Sequence, residues 1–161
     1  MKEKIFFHSH RKGKISLDQL VEELFSFIKE EPSFHYNLAI GTDSERHNEE
    51  DEFVSAIIIH RFGRGGRYFW RRVYLPKSRT MRERIYNEVL FSLSIAQELV
   101  KRLKSWANKF DFSLEIHVDI GLNGPTKAMV QEVINLVKGN GFKVKTKPES
   151  FGASNVADRL I

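Results

Sequence analysis

The chain has 161 residues, 41% hydrophobic and 29% charged, the balance of one soluble domain large enough to bury a core. It has no cysteine, which excludes disulfides, thiolate zinc sites and Cys nucleophiles. No apolar run approaches a membrane span and the opening MKEKIFFHSHRKGK lacks the apolar core of a signal peptide, so the expected address is the cytoplasm, with no membrane partner.

A net charge of +5 favours polyanionic partners through phosphate neutralisation, although it carries weight only beside a site that handles phosphates. The basic opening, with His8, His10, Arg11, Lys12 and Lys14, reads as a flexible tail, with transition-metal binding by His8 and His10 the lesser alternative. Ser16 then caps a helix whose apolar positions Leu17, Leu20, Val21, Leu24, Phe25, Phe27 and Ile28 recur at helical spacing, and Pro32 closes it.

Residues 36–42 (YNLAIGT) read as the first strand and run into Asp43. A polar loop is expected over 44–52. The β-branched run 53–62, the turn Gly63-Arg64-Gly65-Gly66 and the run 67–75 then read as a hairpin ended by Pro76. From about Thr80 to Ala107 an apolar stripe through Met81, Ile85, Val89, Leu93, Ala96, Val100 and Leu103 predicts a long helix. A fourth strand, 114–118 (LEIHV), runs into Asp119. Pro125 suits the first turn of a helix over 126–138, closed by Gly139-Asn140-Gly141. Residues 142–146 make a short last strand, 148–152 a loop, and 153–161 a terminal helix.

Three strands joined by short connections suggest an antiparallel meander, and two that follow helices suggest parallel crossovers. Such an α/β sheet sets the first and fourth strands side by side and brings Asp43 to Asp119. A carboxylate at the end of a buried strand is costly unless a metal or a charged partner needs it, and two together suit a hard cation. Each also has a plain structural reading. Asp43 could cap the turn into Ser44, Glu88 could be a solvated helix glutamate, and Asp158 could favour a helix dipole.

His117 and Glu115 alternate with Leu114, Ile116 and Val118 and are expected on the less apolar sheet face. The segment GLNGPTK lacks the spacing of a nucleotide-binding glycine loop. Arg64, Arg67, Arg71 and Arg72, interleaved with Tyr68, Phe69 and Trp70, form either a nucleic-acid face or an ordinary hairpin.

The order of elements, with Asp43 in GTDS, Glu88 in NEVLFSLSIAQEL, Asp119 in HVDIG and Asp158 in ASNVAD, resembles the ribonuclease H-like fold. The strings IGTDS, FGRGGRYF, EIHVDIG and KPESFGASNVAD look like a family of small bacterial YkuK-like proteins placed in that superfamily. The resemblance implies a mixed five-stranded sheet flanked by helices, with residues 1–33 as an N-terminal extension bearing a helix. It also implies Asp43, Glu88, Asp119 and Asp158 as catalytic and metal-binding residues, holding two Mg²⁺ or Mn²⁺ ions. In that reading Asp43 bridges the ions, Asp119 and Glu88 hold one side, and Asp158 completes the other.

Two ions can neutralise a scissile phosphate, activate water and stabilise a leaving oxygen. Lys147 and Arg71 are the candidates for phosphate contact, and backbone N–H groups at the start of the helix after Gly124 are expected to orient a phosphate near Asp119. The segment departs from true ribonuclease H in leaving no room for a basic handle helix, and in offering Lys147, Glu149 and Ser150 where a mobile histidine is often found. The expected function is therefore a metal-dependent nuclease acting on DNA or RNA. The alternatives are a non-catalytic nucleic-acid-binding or assembly module and, third, a small-molecule phosphohydrolase.

Overall fold

The computed structural model describes residues 5–106, 108–147 and 149–150. Among these residues seven strands form one sheet: β1 (Phe6–Ser9), β2 (Gly13–Ser16), β3 (Tyr36–His47), β4 (Glu50–Arg61), β5 (Gly66–Pro76), β6 (Phe112–His117) and β7 (Lys143–Lys145). Across the sheet the order is β2-β1-β5-β4-β3-β6-β7. The helices are α1 (Leu17–Glu30), α2 (Met81–Leu103) and α3 (Val130–Gly139).

The meander β3-β4-β5 is antiparallel, β6 lies parallel to β3, and β7 lies parallel to β6. These are the five strands expected from the sequence, but the sheet has seven. The two extra strands come from the basic opening, which is not a tail. β1 and β2 form a hairpin docked antiparallel on β5, with His8 opposite Trp70. Phe7 and Ile15 from this hairpin are 0% and 3% exposed, so the opening is anchored by core burial, beyond the helix expected over 1–33.

Local chemistry explains the helix boundaries. Ser16 forms a full capping box with Gln19, and Thr80 accepts from the Glu83 N–H, each satisfying a first-turn donor. Leu20, Leu24 and Phe27 of α1 meet Val89, Leu93, Ala96 and Leu99 of α2 and Val133 and Val137 of α3 in one buried cluster, against Leu38, Ile40, Ile57, Ile59 and Ile116 of the sheet.

Three boundaries differ from expectation. The helix from Thr80 ends at Leu103 and gives way to a 3-10 turn, Lys104–Trp106. Pro125 opens no α-helix. A turn and a 3-10 segment, Lys127–Met129, come first, and α3 starts only at Val130, so an α-helical N-terminus does not follow Gly124.

The third difference bears on the site. The polar run 44–52 is paired strand rather than loop, in register from Ser44 opposite Phe53 to His47 opposite Glu50. Its polar side chains bond across the pair. Arg46 reaches Asp51 at 3.0 Å and His47 reaches Glu52 at 2.7 Å, while Asn48 takes the left-handed φ of 51° at the tip. The buried Asp51 carboxyl also accepts the Ser78 N–H at 2.8 Å. Burial works against its charge, yet the bonds from Arg46 and Ser78 prevail and hold its pKa at about 2. Asp43 is therefore an interior residue of a long hairpin and does not end its strand.

Candidate active site

Gly41 opposite His117 is the last β3–β6 pair, and Asp43 lies two residues beyond it. Asp119 lies two residues beyond His117, where the chain has left β6. The two aspartates thus occupy equivalent places where a pair of parallel strands parts, and both are partly exposed. The expectation that these strands are neighbours holds; what ends at Asp43 is the pairing with β6, not the strand.

Helix α2 is fastened across this opening by hydroxyl groups. Thr42 Oγ1 lies 2.8 Å from both Ser55 Oγ on β4 and Ser92 Oγ on α2. Ser44 Oγ donates to Glu88 Oε1 at 2.5 Å. Two residues along a strand span about 6.7 Å and four along a helix about 6 Å, so the pairs 42/92 and 44/88 match two rigid repeats running in opposite directions. Ser44 had no visible role in the sequence beyond following Asp43; its signal is the spacing Thr-x-Ser on the strand against Glu-x-x-x-Ser on the helix.

Glu88 is 8% exposed. Burial pushes its carboxyl up to about 8. The Ser44 bond and the Arg84 charge pull the other way, and the nearby charges of Asp43 and Asp119 add to the rise. The charges of Asp43 on β3 and of Asp119 after β6 are therefore both felt at Glu88 on α2. Arg84 sits one turn before Glu88, and its Nε is buried without a hydrogen-bond partner among the described residues. Its spacing of four from Glu88 was available in the sequence.

Lys147 reaches Asp119 at 3.1 Å. The Lys147 N–H donates to the Ile120 carbonyl at 2.8 Å, and a Cβ on Gly121 would stand 3.0 Å from Lys147 Cβ. A side chain at 121 would thus press on the lysine that covers Asp119. Arg71 is half-buried opposite Ser55, on the helix-facing side of β5. Arg64 and Arg67 hold Glu31 and Glu30 at the end of α1, at 3.3 and 3.2 Å, and so serve the fold. Asp158 and the terminal helix lie outside the described residues.

Two further groups flank the opening. Glu115 Oε1 accepts from His117 at 2.7 Å, Asn37 at 3.0 Å and Lys145 at 3.2 Å. Burial raises the Glu115 pKa, but these three partners outweigh it and leave the carboxyl below its usual range; burial likewise lowers His117. At the hairpin tip, Glu45, His47 and Glu52 bring one ligand-type atom each within 4.8 Å of one another, although Glu52 is already bonded to Arg72 at 2.5 Å.

Among the described residues, the hairpin-tip group Glu45, His47 and Glu52 is the one whose ligand-type atoms lie within 4.8 Å of one another, whereas Asp43, Glu88 and Asp119 are linked by the charge that the two aspartates exert on the buried Glu88. Among the described residues no helix is long and apolar enough to cross a membrane.

Comparison with known proteins agrees with this architecture. The Ribonuclease H-like family model matches residues 19–161. The chain is similar to the Bacillus subtilis (strain 168) protein "Uncharacterized protein YkuK", 27% identical over 99% of both chains. With a meander joined in parallel to β6 and β7, and a family match over most of its length, the chain belongs to the ribonuclease H-like family, in its YkuK-like branch.

Proposed function

We propose that the protein is a metal-dependent nuclease of the cytoplasm, hydrolysing phosphodiester bonds in DNA or RNA. The observation that carries the reading is the buried Glu88 carboxyl, pushed up to about 8 by burial and by Asp43 and Asp119 beside it. Asp43, Glu88 and Asp119 would hold Mg²⁺ or Mn²⁺, with Asp158 as a fourth ligand. A divalent pair supplies charge neutralisation at the phosphate and a water acidic enough to attack near neutral pH.

The chain's own residues do the rest. Ser44 orients the Glu88 carboxylate, and the Thr42–Ser92 contact fixes the distance between α2 and β3. Lys147, 58% exposed, is free to swing from Asp119 to a substrate phosphate. Arg84, one turn before Glu88 on α2, carries a buried Nε–H without a hydrogen-bond partner among the described residues.

The test is a panel of end-labelled single strand, duplex, hybrid and branched junction, incubated with Mg²⁺ or Mn²⁺. Metal-dependent cleavage of at least one member is expected, and none on any member would remove the nuclease reading.

One observation favours a second reading, a nucleic-acid-binding module without turnover. The ammonium of Lys147 already sits on Asp119 at 3.1 Å, as a built-in cation would. In that case Lys147→Ala would leave binding weakened and no metal response would appear.

A further inference from the structure

β5 carries an alternation that the active site does not use. Tyr68, Trp70, Arg72 and Tyr74 occupy every second position and so share one side of the strand, the side away from the buried Phe69. Hairpin β1-β2 adds two imidazoles to that side. His8 stacks on Trp70 with ring centres 5.7 Å apart. His10 meets Tyr68 edge-on at 4.9 Å, bonds its hydroxyl, and lies 5.3 Å from Trp70. Tyr68 and Trp70 are themselves 5.8 Å apart.

Four rings thus form one contiguous cluster, in which His8 and Trp70 lie 27° apart and His10 stands edge-on to Tyr68, with His8 and His10 exposed and Tyr68 and Trp70 half-exposed. Core packing does not require it, because the inward side chains of these strands are Phe7 and Phe69. The chain around it is basic: residues 8–14 (HSHRKGK) include Arg11, Lys12 and Lys14 and no acid. Lys12 is engaged with Glu23 at 2.6 Å, whereas Arg11 and Lys14 are exposed. A cavity of about 160 Å³ opens beside the rings, lined by His10, Arg11, Arg67 and Tyr68 and by Glu23, whose carboxylate is paired with Lys12 and Arg67.

The position is also suggestive. Trp70 is level with Ala56, and Ala56 with Gly41, two residues before Asp43 on the same side of β3. Two strand spacings separate Trp70 from Gly41, about 10 Å, and the two further residues along β3 put Asp43 about 12 Å from Trp70.

We propose that the His8–His10–Tyr68–Trp70 platform, with Arg11 and Lys14 at its rim, binds single-stranded nucleic acid by stacking unpaired bases and contacting phosphates. π-faces accept any base, so this binding is tolerant of sequence, and paired bases in a duplex cannot lie on the rings. Such a platform gives the nuclease reading its substrate class, and it depends on that reading only for the cleavage step.

The chain has two tryptophans, so Trp106→Phe leaves Trp70 as sole reporter. The probe is a 15-residue oligothymidylate in EDTA, where cleavage plays no part. Saturation is expected to quench Trp70 emission, and a matched duplex to bind at least tenfold more weakly. In anisotropy measurements on the otherwise unaltered chain, Trp70→Ala weakens binding about tenfold or more, Trp70→Phe largely preserves it, and Arg11→Ala lowers the log–log salt slope by about 0.7.

Binding without cleavage in metal would leave the platform standing and remove the nuclease. Cleavage that ignores Trp70→Ala would do the reverse. Absence of quenching at saturation overturns the proposal, as does equal affinity for duplex, or self-association on sedimentation that Trp70→Ala abolishes. If Trp106→Phe fails to fold, the Trp70→Ala and Trp70→Phe affinities decide alone.

Discussion

Ser44 donates its hydroxyl proton to Glu88 across 2.5 Å, tying the strand that carries Asp43 to the helix that carries the buried glutamate. The bond favours the ionised form of Glu88, against burial and the neighbouring aspartates, which favour the protonated form. Ser44→Ala is expected to cost about 1 kcal/mol in urea unfolding at pH 7 and to move the Glu88 titration still higher. An unchanged titration, followed by carboxyl NMR, would show that Ser44 does not orient the carboxylate.

The raised pKa gives stability a definite pH dependence. Glu88 has an ordinary value of 4.5 and is pushed up to about 8 in the fold. Between these values the folded chain holds a proton that the unfolded chain has released. Stability in EDTA should therefore fall as pH rises from about 5 to about 8. Glu88→Gln should flatten that decline. Urea midpoints measured at five pH values check this, and an equal decline in the variant would assign it to other groups.

Metal should act in the opposite sense. At about one hundred times the dissociation constant, Mn²⁺ stabilises the folded chain by about 2.7 kcal/mol, equivalent to a rise in Tm of about 5–10 °C at this chain length. Asp43→Asn should remove most of that rise, and Glu52→Gln, in the second carboxylate–imidazole cluster, should leave it intact. A rise lost in Glu52→Gln and kept in Asp43→Asn would move the metal to the hairpin tip.

The N-terminal hairpin belongs to the core through Phe7, which is fully buried. Phe7→Ala is expected to cost about 3–5 kcal/mol by chemical denaturation. A cost below about 1 kcal/mol would return the hairpin to the status of an appendage.

How much of this was legible in the sequence depended on the kind of signal. Ser16 announced its helix because capping is local chemistry, and the Gly63–Gly66 turn fixed its hairpin for the same reason. That the strands carrying Asp43 and leading to Asp119 are neighbours was readable because both contain apolar runs whose parallel pairing comes from the order of elements.

The run 44–52 misled because its strand pairing rests on cross-strand contacts such as Arg46–Asp51 and His47–Glu52, which leave no alternation of apolar residues. Strands β1 and β2 escaped notice because four-residue strands offer one inward aromatic or aliphatic group each, Phe7 and Ile15, amid basic residues. Arg84 and Ser44 were visible only as spacings, whose meaning needed the register of α2 against β3.

The decisive measurement is the single-turnover rate of cleavage of an end-labelled oligonucleotide in Mn²⁺, compared among the unaltered chain, Asp43→Asn and Glu88→Gln. Cleavage by the unaltered chain is expected, with none in EDTA. Each variant should lose about a hundredfold or more, with Mn²⁺ stabilisation lost in parallel. Cleavage that survives both substitutions at an undiminished rate would take the reaction away from these carboxylates.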